Sequence, residues 1–456
     1  MLRKEQPKNL LLSNRDLRVL IVPLIIEMAL KLIVGMIDSV MVASVGEAAV
    51  SGVSLVDSIM QLLIYIFAAL ASGGAVVAGQ YLGAKKQKEA RDAATELLWL
   101  NLVLAVVIMI VVFGLSDWML THLFGRIEAD VFQYGKQYFD IVVFSIPAIA
   151  VFEAGTSIFR TMNRAKVTMK LSLLMNLINV FGNAVLIYGC SMGTRGAAFA
   201  TLVSRWIAAV LIVILLLDSR RELYVEKTWK HRFRLSMSGS IMAMGIPGGV
   251  ENGIFQLGKI AILGLVAEFG TMAITANAVA QTMGAIEMIP GSAIQLAVVT
   301  IIARCVGAED YEQAKYFNRK LLWISYIVIL GWSIVLMLVL PLVLRLYHLS
   351  PQTAELVTRL FYCHVGGAVL LWPIAFNLSA SLRAAGDVQF PMLISIFSMW
   401  AFRFGGAWVL AKPLGFGVTG IWIAMAYLDW GFRALCFEAR WIKGKWETKQ
   451  IMKKNA

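Results

Sequence analysis

The sequence is poor in the residues that soluble enzymes use. Of its 456 residues only 15% are charged, four are histidine and four are cysteine. His122, His231, His348 and His364 show no metal-ligand spacing. Cys190, Cys305, Cys363 and Cys436 are scattered without a CxxC pair, so they read as small apolar packing residues and not as a zinc site or a disulfide framework. A phosphate-binding GxxxxGKS/T loop is missing, and no polar segment is long enough for an ATPase domain. An enzyme is therefore not expected, nor any cofactor, and energy for work has to come from an ion gradient. The opening residues MLRKEQPKNLLLSNRDLR are polar and basic and run straight into an apolar stretch, so no cleavable signal peptide is expected.

What the chain has is apolar sequence. It is 59% hydrophobic with mean hydropathy +0.75. Long apolar runs throughout argue for an all-α polytopic membrane protein. Hydropathy gives twelve spans, near 17–44, 49–82, 92–124, 133–160, 165–190, 192–218, 239–268, 272–305, 316–347, 352–384, 388–411 and 415–440. Several exceed the about 20 residues that a crossing needs, which predicts tilted or protruding helices.

The net charge of +13 is spread in a way that fits topology better than nucleic-acid binding. Lys85, Lys86, Lys88 and Arg91 follow span 2, and Arg160, Arg164, Lys166 and Lys170 surround the next loop on the same side. Arg220, Arg221, Lys227, Lys230, Arg232 and Arg234 fill the segment between spans 6 and 7. The opposite loops hold few cations, chiefly Arg126, Arg195, Arg345 and Lys412. The positive-inside rule then puts both termini in the cytoplasm of a plasma-membrane protein.

Within the first span, PLIIEMALKLIVGMIDSVMVASVG from Pro23 to Gly46 carries Glu27, Lys31 and Asp38. Their spacings of four and seven place them on one narrow helical stripe. Charge in hydrocarbon is expensive and marks a functional site by default. The stretch recurs: Pro247, Glu251 and Gly270 lie 224 residues beyond Pro23, Glu27 and Gly46, although Ile262 stands where Asp38 would fall. Gly83-Ala84 and Ala90 match Gly307-Ala308 and Ala314 at the same offset. Gly193, Gly196, Ala200 and Trp206 match Gly417, Gly420, Ala424 and Trp430, and Arg160 pairs with Arg383 one residue out of step. Each repeat holds six spans, an even number, so the two halves should be related by a pseudo-two-fold along the membrane normal. The expected division is a tail at 1–16, an N-lobe at 17–218, a basic linker at 219–238, a C-lobe at 239–440 and a basic tail at 441–456.

IDSVMVASVG, YLGAKKQKEA, FRTMNRAKV with its counterpart LRAAGDVQFP, and GTRGAAFATLVSRW together resemble the MATE (multidrug and toxic compound extrusion) transporters of the MOP flippase superfamily. The resemblance covers essentially the whole chain. It implies a V-shaped, alternating-access antiporter that exports organic cations in exchange for protons or sodium. It also implies that Asp38 is a coupling carboxylate and that Glu251 contributes to a C-lobe cation site in some members. Two departures stand out. Family N-lobes often carry an Asp in span 5, where this chain has Asn179 and Asn183; span 10 holds no Asp, only Tyr362, His364 and Asn377.

The residues themselves leave alternatives open. Asp38 is either the coupling group or a carboxylate neutralised by Lys31; Glu27 and Lys31 are either a static i,i+4 ion pair or part of the coupling. Asn176, Asn179 and Asn183 share one helix face and can coordinate a cation or hold a protonated Asp38, but they also suit interhelical packing. Asp38 with Asn179 and Asn183 would make an oxygen-rich cage for sodium. In the C-lobe Glu251 is the leading carboxylate, whereas Glu287 and Lys259 are expected to neutralise one another. Asp57 and Glu153, in spans 2 and 4, are further candidates for a cavity wall. Trp372, Phe376, Met283 and Met288 suit either packing or a wall for flat cations. The function expected is export of amphiphilic organic cations by a monomer in contact with lipid and with no nucleic-acid partner. The alternative is a lipid-linked oligosaccharide or peptidoglycan-precursor flippase, whose cargo would call for a cationic cavity.

Overall fold

The computed structural model describes residues 10–122, 128–226 and 232–451. Arg126, Lys227, Lys230 and His231 lie outside them, as do the ends of both expected tails. The described residues form helices and no strand. An apolar chain without water to solvate it must satisfy its backbone within each segment, and a helix does so.

Among the described residues ten helices are long and apolar enough to cross a bilayer. Six fall in the first half, at Asn14–Ala43, Glu47–Gly83, Gln87–Gly114, Ala129–Thr161, Ala165–Gly189 and Gly193–Leu216. The second half repeats the order. Leu235–Ala267 is followed by Thr271–Glu287 running on as Ile289–Gly307, then by Tyr311–Leu346. Pro351–Leu370 and Pro373–Ala384 make the tenth span as a pair bent by 53°, and Gln389–Ala411 is the eleventh. The twelfth, 417–442, is interrupted by a π-helical stretch, Ala424–Asp429, and carries Asp429, Arg433, Glu438 and Arg440. Its place opposite Gly193–Leu216 in the repeat identifies it as a span. The fold is the expected twelve-helix, two-lobe arrangement.

The duplication is visible in backbone detail. Lys85 and Glu309, 224 residues apart, are both non-glycine residues with positive φ, 60° and 55°, in the turn after spans 2 and 8. A Cβ on Gly196 would lie 2.9 Å from the carbonyl carbon of Leu186, and one on Gly420 would lie 2.8 Å from that of Leu410. The same pair of glycines therefore lets the fifth and sixth spans, and the eleventh and twelfth, approach to backbone contact.

Packing divides the chain into two compact units, residues 18–249 and residues 250 onward together with the segment up to Leu17. The first has its own core, around Val56, Phe67, Phe139 and Ile146; the second centres on Val266, Val357, Met399 and Ala424. The boundary falls inside the seventh helix for identifiable reasons. Its first half is tied to span 3 by Ser238 donating to Glu96 and by the Arg234–Asp92 ion pair. Gly245 also meets span 2 so closely that a Cβ on Gly73 would sit 2.6 Å from the Gly245 nitrogen. At the other end, the Leu11 N–H donates to Gln313 Oε1 at 2.8 Å and holds the N-terminal segment to the second unit. Gly73→Ala is expected to force these helix backbones apart and to cost about 1–3 kcal/mol. A thermal unfolding midpoint equal to that of the parent protein would contradict this.

Candidate functional site

In the first unit the fifth span presents Asn176, Asn179 and Asn183 along one buried face. Asp38, on the first span, is met there by amides. Asn183 Nδ2 donates to Asp38 Oδ1 at 2.8 Å. Asn179, turned so that both ends of its amide are satisfied, donates to Oδ1 at 2.7 Å and Oδ2 at 3.0 Å while its oxygen accepts from the Thr201 hydroxyl at 3.2 Å. Asn183 Oδ1 is buried and unpartnered, as is Asn176 Nδ2. Asp57 accepts from the Tyr138 hydroxyl at 3.2 Å, and Arg205, held by Ser145 at 2.8 Å, acts on both carboxylates through space. Neither carboxylate makes an ion pair among the described residues.

Lys31 does not neutralise Asp38. Although both lie on one stripe of the helix, its ammonium turns the other way, 3.6 Å from Glu27 and 3.7 Å from Glu153. Glu27 is buried and fully engaged: Arg160 Nη2 donates to Oε1 at 3.1 Å and the Thr168 hydroxyl to Oε2 at 2.7 Å. The second unit repeats the pair. Arg383 Nη2 meets Glu251 Oε2 at 2.6 Å and Oε1 at 2.8 Å. Glu27 with Arg160 and Glu251 with Arg383 are thus one ion pair in two copies.

Glu287 and Lys259 are not partners either. Glu287, with no exposed surface, accepts from Ser333 at 2.6 Å and lies 2.6 Å from His364 Nδ1. Lys259 instead stands over the Phe255 ring. Of the proposed wall residues, Trp372 and Met283 are buried in packing, with Trp372 stacked on Phe376 at 5.0 Å. Thr168, Thr201 and Tyr138 join the site only in the fold, since hydroxyls in an apolar helix carry no signal until their neighbours are known; Arg205 did carry one, as a charge inside the sixth span. The repeat did hold a signal for the second unit: offset 224 carries Asn179 onto Arg403 and Arg205 onto Asp429.

A protein-family model described as MatE matches residues 23–185 and again 247–409, which is the internal repeat at offset 224. The chain belongs to the MATE family. It is 26% identical over 437 residues to the "Uncharacterized transporter YisQ" of Bacillus subtilis, covering 94% of both chains. It is 24% identical to the "Probable multidrug resistance protein NorM" of Thermotoga maritima, covering 96% of this chain and 94% of that one. A solved multidrug resistance MATE transporter of the MOP superfamily, in an outward-facing conformation, superposes with TM-score 0.88 at 19% identity over 95% of this chain and 96% of that one. MATE proteins are transporters and not enzymes. The chain is accordingly a multi-pass membrane transporter, and the comparisons imply small-molecule substrates.

Proposed function

We propose that this MATE transporter is a secondary-active multidrug antiporter that exports amphiphilic organic cations in exchange for protons or sodium by alternating access. It works as a monomer in the cell membrane with both termini cytoplasmic, needing lipid but no cofactor or nucleic acid. The observation that supports this reading is the state of Asp38, a carboxylate in a span whose hydrogen-bond partners are neutral amides. With Arg205 acting only through space and no ion pair among the described residues, a mobile cation can compensate its charge. The relative named for multidrug resistance supports the choice of cargo.

Asp38, the unpartnered Asn183 Oδ1 and the Thr201 hydroxyl oxygen also supply oxygen ligands of the kind that a hard cation such as sodium prefers. Ethidium loaded into cells should leave faster when the protein is expressed, and collapsing one ion gradient at a time should identify the driving ion. Efflux indifferent to both gradients would remove the antiport reading. Movement confined to a lipid-linked sugar would transfer the protein to the flippases.

A further inference from the structure

We propose that the second unit holds an oxyanion-binding site, centred on Arg403 and Arg433 against the Phe255 ring, that takes the carboxylate or phosphate group of an amphiphile. The site is the charge-inverted copy of the Asp38 centre. At offset 224 Asp38 becomes Ile262, Asp57 becomes Gln281, Asn179 becomes Arg403 and Arg205 becomes Asp429. Geometry follows the sequence. Asn179 is bonded to Thr201, and at the corresponding places Arg403 Nη2 donates to the Met425 sulfur at 2.8 Å. Over these four positions the formal charge rises from −1 to 0, and Arg433, at the place of Ala209, carries it to +1 on the same scaffold.

Local charge does not balance there. Glu251 is matched by Arg383 at 2.6 Å, and Asp429 by Arg403 at 3.5 Å and by the Ser398 hydroxyl at 2.6 Å. Arg433 is left 3.8 Å from Glu251, beyond hydrogen-bond reach, and its side chain is only 3% exposed. Its Nε and Nη1 have no partner, nor has Arg403 Nε. Arg403, Arg433 and Lys259 crowd one aromatic ring, at 5.0, 5.7 and 5.9 Å from the centre of Phe255. Arg433 also lies 4.5 Å from Phe376. Ring quadrupoles attract cations but cannot accept the free N–H groups as a charge would. A buried guanidinium with idle donors is costly, and an oxyanion relieves that cost by supplying charge and acceptors together.

The backbone is specialised at the same place. Arg403 lies in a π-helical stretch, Met399–Gly405, and Asp429 ends another, Ala424–Asp429. In the first unit the corresponding residues, 175–181 and 200–205, are ordinary α-helix. π-turns inside α-helices occur mostly at functional sites, and here two of them converge on one cluster. Phe255 and Phe376 give an apolar surface beside the charge, which suits an amphiphile.

The test is isothermal titration of the purified full-length protein in neutral detergent, at constant ionic strength. One arm uses inorganic phosphate; the other compares short-chain phosphatidylglycerol with short-chain phosphatidylcholine. The expected result is saturable binding of phosphate, of phosphatidylglycerol, or of both, and no selective binding of phosphatidylcholine. Phosphate alone identifies a free anion, and phosphatidylglycerol alone a headgroup held partly by its chains. Arg403→Gln and Arg433→Gln should each weaken binding by on the order of tenfold to a hundredfold, the worth of a charge-assisted hydrogen bond. Arg359→Gln, on the exposed start of the tenth span, should leave it unchanged. Asp429→Asn should tighten binding, because it removes the carboxylate that competes for Arg403. Lys259→Gln, an exposed position, gives a milder loss without the risk of misfolding that Arg433→Gln carries. Absence of binding in both arms, undiminished binding in the Arg403 variant, or weaker binding in Asp429→Asn overturns the proposal.

Discussion

Asp38→Asn yields a folded protein that still binds dye but no longer exports it against a gradient. The argument is one of charge. Counter-transport needs a group that can hold either the driving ion or the cargo, so that occupancy by one disfavours the other. Asparagine keeps the size and most of the hydrogen-bond geometry of Asp38 but cannot change charge. The coupling it removes is about 1–3 kcal/mol, or roughly 5–150-fold in the effect of the ion on dye affinity. The measurement is dye efflux from energised cells beside dye binding to purified protein, at two concentrations of the driving ion. Glu251→Gln should act less on this coupling, since Glu251 is already held by Arg383 at 2.6 Å. Wild-type efflux by Asp38→Asn together with an inactive Glu251→Gln would move coupling to the second unit.

Arg160→Met is expected to be the most destabilising single change in the first unit, by about 3–5 kcal/mol. Glu27 is 2% exposed, and Arg160 is its closest cation, at 3.1 Å. Removing one partner of a buried ion pair strands the other charge, which costs far more than the pair contributes. Lys31, 41% exposed and 3.6 Å away, compensates only in part. Adding Glu27→Gln to Arg160→Met should therefore recover much of the loss. In the second unit Arg383→Met should cost less, because Arg383 is more exposed and Arg433 stands 3.8 Å from Glu251. Thermal unfolding of the purified variants in one detergent ranks all three. A double variant no more stable than Arg160→Met alone would show that the ion pair is not the reason.

The sequence by itself determined the helices, their number and their duplication. Apolar runs of membrane length must be helical, and a repeat at offset 224 survives in glycines, prolines and the Glu27 and Glu251 positions, because backbone approach and buried charge tolerate few substitutions. It also singled out Asp38, Asn179 and Asn183, which the fold brings together around one carboxylate. Which charges pair was decided only by the tertiary structure. Helical spacing places Lys31 on the stripe of Asp38, but a long side chain turns toward whatever neighbouring helices present, and the fourth, carrying Glu153, presents a carboxylate there. Lys259 and Glu287 looked like partners when only their charges were known; packing gives Glu287 to His364 and Ser333 and sets Lys259 among cations around Phe255. Sequence spacing fixes positions along a single helix, whereas the sign of the charge across from each position is a property of helices brought together from distant parts of the chain.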